Sequence, residues 1–463
     1  MRGARQLSTA LAAVLVLGCG VGGTDGGEDA PEAASDSEQV TGTTDDAATE
    51  DAATEDEPGD SEALAGATVE VVGVPTLVEE EAIRAVIDRY VNTPFDASVT
   101  YTGSSDFEQQ IQDRIAAGDP PDVALYPQPG AVVEQAAAGN LVALEDLGFD
   151  IPALEATFGT ELLRLGAYDG RHYGLPTNTS LKSLVWYHLP TFEARGYPIP
   201  TTWEELVALS ERMVADGSTP WCIGTEAGGA TGWAATDWLE DIVLRDAGTE
   251  VYDRWVDGEV AFDDPAIIAA AARMAEITHH DDFVRGGTAA IPDIDYRDAP
   301  QPLFDEEPGC LLHRQASYIV SFFPEEVRIG EDVEVFAFPT IDGNDGALIA
   351  GELAVAFDDR AEVGAFLEVF SGPDAQCAQG SFAGVSRISP NMDTSADCYR
   401  DPVVALSAET VLAALEQGTA RFDASDLMPS TVGAGTFWSG MNDWMRGEEL
   451  EEVFARIADS WPA

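Results

Sequence analysis

Between residues 68 and 126 the apolar residues change period repeatedly, and this alternation limits the fold more than any other feature of the chain. Thr68-Val69-Glu70-Val71-Val72-Gly73-Val74 passes from alternating to continuous apolar and reads as a strand. Ile83, Val86, Ile87 and Tyr90 then recur at helical spacing within 79–91, and Val99-Thr100-Tyr101 reads as a second strand. Phe107, Ile111 and Ile115 line one face of a second helix, which Gly118-Asp119-Pro120-Pro121 stops. Asp122-Val123-Ala124-Leu125-Tyr126 then reads as a buried strand. A β-α-β-α-β rhythm is that of a parallel sheet covered by helices, so the expected class is α/β. Ligands of such sheets collect beyond the strand carboxyl ends, which puts Tyr126, Pro127 and Gln128 at a candidate rim.

The 463 residues carry 84 Asp and Glu against 23 Lys and Arg, a formal net charge of −61. That balance excludes nucleic acid as a partner, because phosphate binding needs clustered cations. It also argues against an anionic lipid surface held by charge alone, and it favours neutral or cationic ligands. Of the basic residues 22 are arginine, and Lys182 is the only lysine. High external salt and a GC-rich genome both produce such a composition.

Residues 1–19 read as a secretory signal, with Arg2 and Arg5 before an apolar run from Leu11 to Leu17. Val16-Leu17-Gly18-Cys19 resembles a bacterial lipobox, which makes Cys19 a lipidated residue anchoring the mature chain to the outer face of the cytoplasmic membrane. An ordinary cleaved signal with an incidental cysteine is the alternative. Residues 20–65 hold 15 acidic residues, no Lys or Arg and no aromatic. They are expected to form a disordered, extended tether.

Export implies an oxidising compartment. Apart from Cys19 the cysteines are Cys222, Cys310, Cys377 and Cys398, which allow three pairings. Cys222–Cys310 with Cys377–Cys398 is the preferred one, the second closing a short loop. No CxxC pair occurs and the five histidines do not pattern with the cysteines, so no metal site is expected. Thr202-Trp203-Glu204-Glu205 is a capping box opening a helix with Leu206, Leu209 and Met213. Asp264-Pro265 opens an alanine-rich helix over 266–278. Strands are expected at Ser317–Phe322, Val333–Phe338 and Leu353–Phe357, and a helix at 360–370. G-x-G-x-x-G, Walker, G-x-S-x-G and H-E-x-x-H motifs do not occur.

Several motifs occur in order: the lipobox, the tether, a strand with Pro-Asp-Val near residue 122, Tyr168-Asp169-Gly170-Arg171-His172-Tyr173-Gly174-Leu175-Pro176, the Thr-Thr-Trp-Glu-Glu-Leu cap at 201–206, and a return near 315. Together they resemble the extracellular carbohydrate-binding proteins of bacterial ABC importers, the group of maltose and α-glucoside binders. The resemblance spans residues 66–463. It implies a periplasmic-binding-protein-like fold of two α/β lobes joined by crossing hinge strands. It places one lobe at 66–177 plus 314–357 and the other at 178–313 plus 358–463. It further implies a non-enzymatic, monomeric receptor without a cofactor, delivering a di- or oligosaccharide to transporter permease subunits.

A neutral sugar presents hydroxyls and apolar C–H faces, so a binder needs flat aromatic platforms beside carboxylates, amides and arginine. The chain has nine Trp. The expected ligand-binding residues are Tyr126, Asn178, Lys182, Trp186, Trp221, Trp233, Asp237, Trp238, Arg314, Glu352 and Trp438. Trp233 and Asp237 would share a helix face. Phe437-Trp438 follows Gly433-Ala434-Gly435, read as a flexible cleft lip. Tryptophan is most often core or partly buried filler, Arg314 is also suited to a buried ion pair, and Lys182 to bracing the hinge. Two rival functions are a secreted glycoside hydrolase, which also uses paired carboxylates and tryptophans, and a receptor for a non-sugar solute.

Overall fold

The computed structural model describes residues 61–462. The signal at 1–19, the lipidation of Cys19 and the tether up to residue 60 lie outside the described residues. The last residues assigned to the tether are ordered: Ser61–Leu64 forms a 3-10 turn, and Leu64 is buried in the first core.

The first strands are β1 (Thr68–Gly73), β2 (Ser98–Gly103) and β3 (Val123–Tyr126). A hairpin of β4 (Ala167–Tyr168) and β5 (Arg171–His172) turns through Asp169 and Gly170. Both turn residues have positive φ, the geometry Asp-Gly favours between antiparallel strands. β6 (Leu175–Leu181) and β7 (Leu184–His188) follow, then β8 (Leu312–Arg314), β9 (Val333–Ala337), β10 (Ala347–Ala356) and β11 (Ala420–Phe422).

β1 pairs in parallel with β2 and β3, as the period-switching sequence predicts. The sheet then becomes mixed: β10 runs antiparallel to β3 and β6 and parallel to β11. Every residue of β10 is buried, which accounts for its apolar sequence, broken only by Glu352. A separate sheet has the order β8-β7-β9.

Two cores follow. The first packs Val69, Val71 and Val123 against helix Leu77–Ile87 and against Phe366 and Phe370. The second packs helices Trp203–Ala215, Trp233–Asp246 and Pro265–Thr278 around Trp238, Trp255 and Phe262. β6 and β10 run side by side between them, with Leu181 and Ile349 in a third cluster. This is a two-lobe α/β fold.

The expected lobe borders shift. Helix Ala361–Ser371 joins the first core because Val363, Phe366 and Phe370 cover β1, although 358–463 was assigned to the second lobe. β9 pairs with β7 and Phe336 packs in the second core, although 314–357 was assigned to the first. Ser317–Phe322 is a 3-10 helix, not a strand. Thr431–Phe437 is a π-helical segment, not a flexible lip, and Gly433 lies so close to the Ser425 carbonyl that no side chain fits. Cys222–Cys310 and Cys377–Cys398 are bonded, as preferred.

Candidate functional site

Strand ends supply one wall of a cavity of about 180 Å³. Beyond β1, Pro75 and Thr76 lead into helix Leu77–Ile87, whose first turn carries Glu79. Beyond β2, Ser105 precedes helix Phe107–Ala117, whose first turn carries Glu108. Beyond β3 stand Pro127 and Gln128, the rim read from the sequence. The opposite wall brings Trp233, Tyr296, Asp426 and Trp438. Asn178 and Glu352 come from the paired strands between, and Lys182 directly follows β6.

The floor rests on a bulge. Glu352 pairs with Asn178 but Leu353 pairs with Pro176, leaving Thr177 as the extra residue. Such bulges re-aim side chains beside sites. The Asn178 Oδ1 is buried there without a hydrogen-bond partner. Glu352 receives both terminal nitrogens of the buried Arg387.

Trp233 opens helix Trp233–Asp246. Its ring lies edge-on to Tyr296 at 5.0 Å, and the Lys182 ammonium stands 5.1 Å from its centroid. Gly232 before it has φ 118°, and a Cβ there would come within 2.1 Å of the Trp438 carbonyl oxygen. Only glycine allows Trp233 and Trp438 to stand on adjacent walls.

Lys182 continues into a buried charge network. Its ammonium donates to Asp237 at 2.8 Å and to Asp423. Arg314 donates to Asp237 at 3.1 Å and to Asp241 at 2.8 Å, and Arg245 also pairs with Asp241. Burial would push all these carboxyls up. The Lys182 ammonium nevertheless holds Asp423 down at about 2, while Asp237 rises to about 6. Glu240, fully buried and repelled by Asp423 and Asp237, is pushed well above the usual range. Asp237, Glu240 and Asp423 are close enough to hold a metal ion, but Asp237 and Asp423 already hold the lysine.

The cavity carboxyls differ. Burial raises Glu79 to about 7, with Arg387 opposing and Glu352 reinforcing. Its one hydrogen bond comes from Ser321 at 3.3 Å. Burial also raises Glu108, which accepts from Gln128 at 3.1 Å.

Of the expected ligand-binding residues, Asn178, Lys182, Trp233, Glu352 and Trp438 line the cavity. The other six lie behind the wall, where their polar groups mostly meet protein partners. Trp186 donates to the Gln315 carbonyl at 2.9 Å, and Trp221 to Ser210 at 3.0 Å. Trp238 packs edge-on against Trp221 at 5.1 Å. Asp237 and Arg314 are spent in the ion network. Tyr126 is buried edge-on to Phe107, its hydroxyl unpartnered. Glu79, Glu108, Tyr296, Tyr318 and Asp426 line the cavity without having been expected there. The strand-end rule, applied beyond β1, β2 and β11, points at Glu79, Glu108 and Asp426. Tyr296 sits in a loop with no periodic signal.

This geometry, a cavity between two α/β lobes crossed by shared strands, defines a solute receptor. Residues 75–376 match the family of bacterial extracellular solute-binding proteins, and the chain belongs to that family. It is 39% identical over 410 residues to the alpha-glucosides-binding periplasmic protein AglE of Rhizobium meliloti, covering 86% of this chain and 88% of the relative. It is 36% identical to the osmoprotective compounds-binding protein GgtB of Synechocystis, covering 85% and 92%. Among solved structures, the maltose-bound MalE3 of T. maritima superposes with a TM-score of 0.67 at 18% identity, covering 85% of this chain and 98% of that one. Among the described residues no helix is long and apolar enough to cross a membrane.

Proposed function

We propose that the protein captures a carbohydrate, an α-glucoside or other di- or oligosaccharide, in this cavity and presents it to the permease of an ABC importer without chemical change. The observation that carries the reading is Trp233. Its ring stands on the cavity wall among acceptor groups drawn from both cores: Glu79 and Glu108 on one side, Asp426 on the other. A flat apolar face ringed by acceptors suits a molecule with C–H faces and many hydroxyl donors. The names of AglE and GgtB support the solute class.

Asn178, Lys182, Trp233, Glu352 and Trp438 then contact ligand together with Glu79, Glu108, Tyr296 and Asp426. One lobe comprises β1–β3 and helix Ala361–Ser371. The other comprises β7–β9 and the helices between 203 and 278. β6 and β10 form the crossing. Ligand touching both lobes favours their closed arrangement. The lipobox at Cys19 supports an anchor on the outer face of the cytoplasmic membrane.

Titrating the full chain with a panel of gluco-, galacto- and xylo-oligosaccharides, followed by tryptophan fluorescence and melting temperature, tests this. A saturable response to an α-linked member is expected. No response to any member, or release of reducing ends from one, overturns the reading.

A further inference from the structure

Asp426 is the cavity residue whose partners do not add up. It is 7% exposed, lines the cavity, and its carboxylate accepts no hydrogen bond from the described residues. Only its backbone N–H is engaged, donating to Asp423 at 3.0 Å. A buried carboxyl without a donor is costly, so its native partner is expected from outside the chain.

The cations near it are committed elsewhere. Lys182 is held by Asp237 and Asp423. Arg297 is held by Asp295 at 2.5 and 2.8 Å. Glu108, from the opposite wall, faces the same cavity with two neutral donors, its own backbone N–H and Gln128, and no cation. Burial pushes Asp426 well above the usual carboxylate range, and the charges of Asp423, Asp237 and Glu108 push the same way against Lys182. Glu108 is raised by burial, with Asp106 adding to it. Two carboxyls from opposite walls thus face one space where, among the described residues, each cation lining it is already paired.

We infer that the solute carries a basic nitrogen, and that its ammonium sits between Glu108 and Asp426. This rests on the carbohydrate reading above and narrows it to amine-bearing glycosides or polyols. An ammonium there supplies donors to Asp426, neutralises the repulsion, and joins the two lobes through one ion. The whole chain's excess of acid draws such a solute in.

The test is calorimetric titration of the full chain at pH 7.5 with maltose and trehalose, each against its 6-amino-6-deoxy derivative. The amine is expected to bind about tenfold tighter or more, the equivalent of one unit of carboxyl pKa. The amine-to-neutral ratio should collapse in Asp426→Asn and in Glu108→Gln. Glu108 is only half-buried at the start of its helix, so its variant keeps the test readable if the buried one fails to fold. Neutral sugars binding as tightly as their amines would overturn the inference and leave the carbohydrate reading standing. Binding of none of the four would overturn the inference, and the oligosaccharide panel above then decides the carbohydrate reading separately.

Discussion

Glu79 shows how burial sets the behaviour of a single side chain. Its carboxyl is raised from 4.5 to about 7. The groups whose charge or hydrogen bonding bears on it are Ser321, Arg387, Glu352 and the hydroxyls of Tyr101, Tyr296 and Tyr318. Between those two pH values the folded state binds more protons here than the unfolded chain. Stability from this group therefore falls as pH rises through that window, and the cost is fully present above 7. His313, buried and depressed to about 4, acts oppositely, losing stability as pH falls from 6.5. Because His313 is common to both proteins, urea unfolding of Glu79→Gln and the parent at pH 5 and pH 8 isolates the glutamate. The variant should gain relative stability at pH 8, and an unchanged difference would contradict the assignment. Single residues were legible unevenly. Lys182 stood out because no other lysine exists, and Trp233 because aromatic and acidic residues cluster around it. Trp186, Trp221 and Trp238 carry the same local signal but lie under the wall, and depth beneath a surface leaves no mark in a sequence. Asp237 does lie one helical turn from Trp233, yet that turn carries it from the cavity into the Lys182 pair.

Elements were read best where the period was long and clean. β1, β2 and β3 and the two helices between them fall within a few residues of the expected spans. The capping box holds with one change: Thr202 accepts from the Glu205 N–H, but Glu205 reaches past it to the Thr201 N–H at 2.8 Å. Ser317–Phe322 was misread because a short apolar run has no period long enough to separate strand from tight helix. Lobe borders leave little trace in a sequence, because a chain that crosses between lobes changes partners without changing composition. Gly232 is a testable joint between elements. Its φ of 118° and the nearby Trp438 carbonyl leave no room for a methyl group. Gly232→Ala should destabilise by more than about 1 kcal/mol and weaken ligand binding together, because Trp233 must move. Chemical denaturation with fluorescence titration reads both, and loss of neither would show that the joint is soft.

Across the whole molecule the charge of −61 and the cavity belong to one account. Residues 66–463 keep 69 acidic against 21 basic residues, so the acidity is mainly that of the folded body. Most surface acids are solvated, but the acids of the cavity face an enclosed space and shape what enters it. The two lobes already touch beside that space, where Glu134 of the first lobe accepts the Ser430 N–H and hydroxyl at 2.8 and 2.6 Å. A solute spanning Glu108 and Asp426 would extend that contact across the cleft. The most direct measurement is a crystal structure of the protein with the tightest-binding member of the sugar panel. The ligand should lie on the Trp233 face, within hydrogen-bond distance of Asp426 and of one first-lobe carboxylate. A bound ligand at any other place, with the Trp233 face bare, would contradict the account.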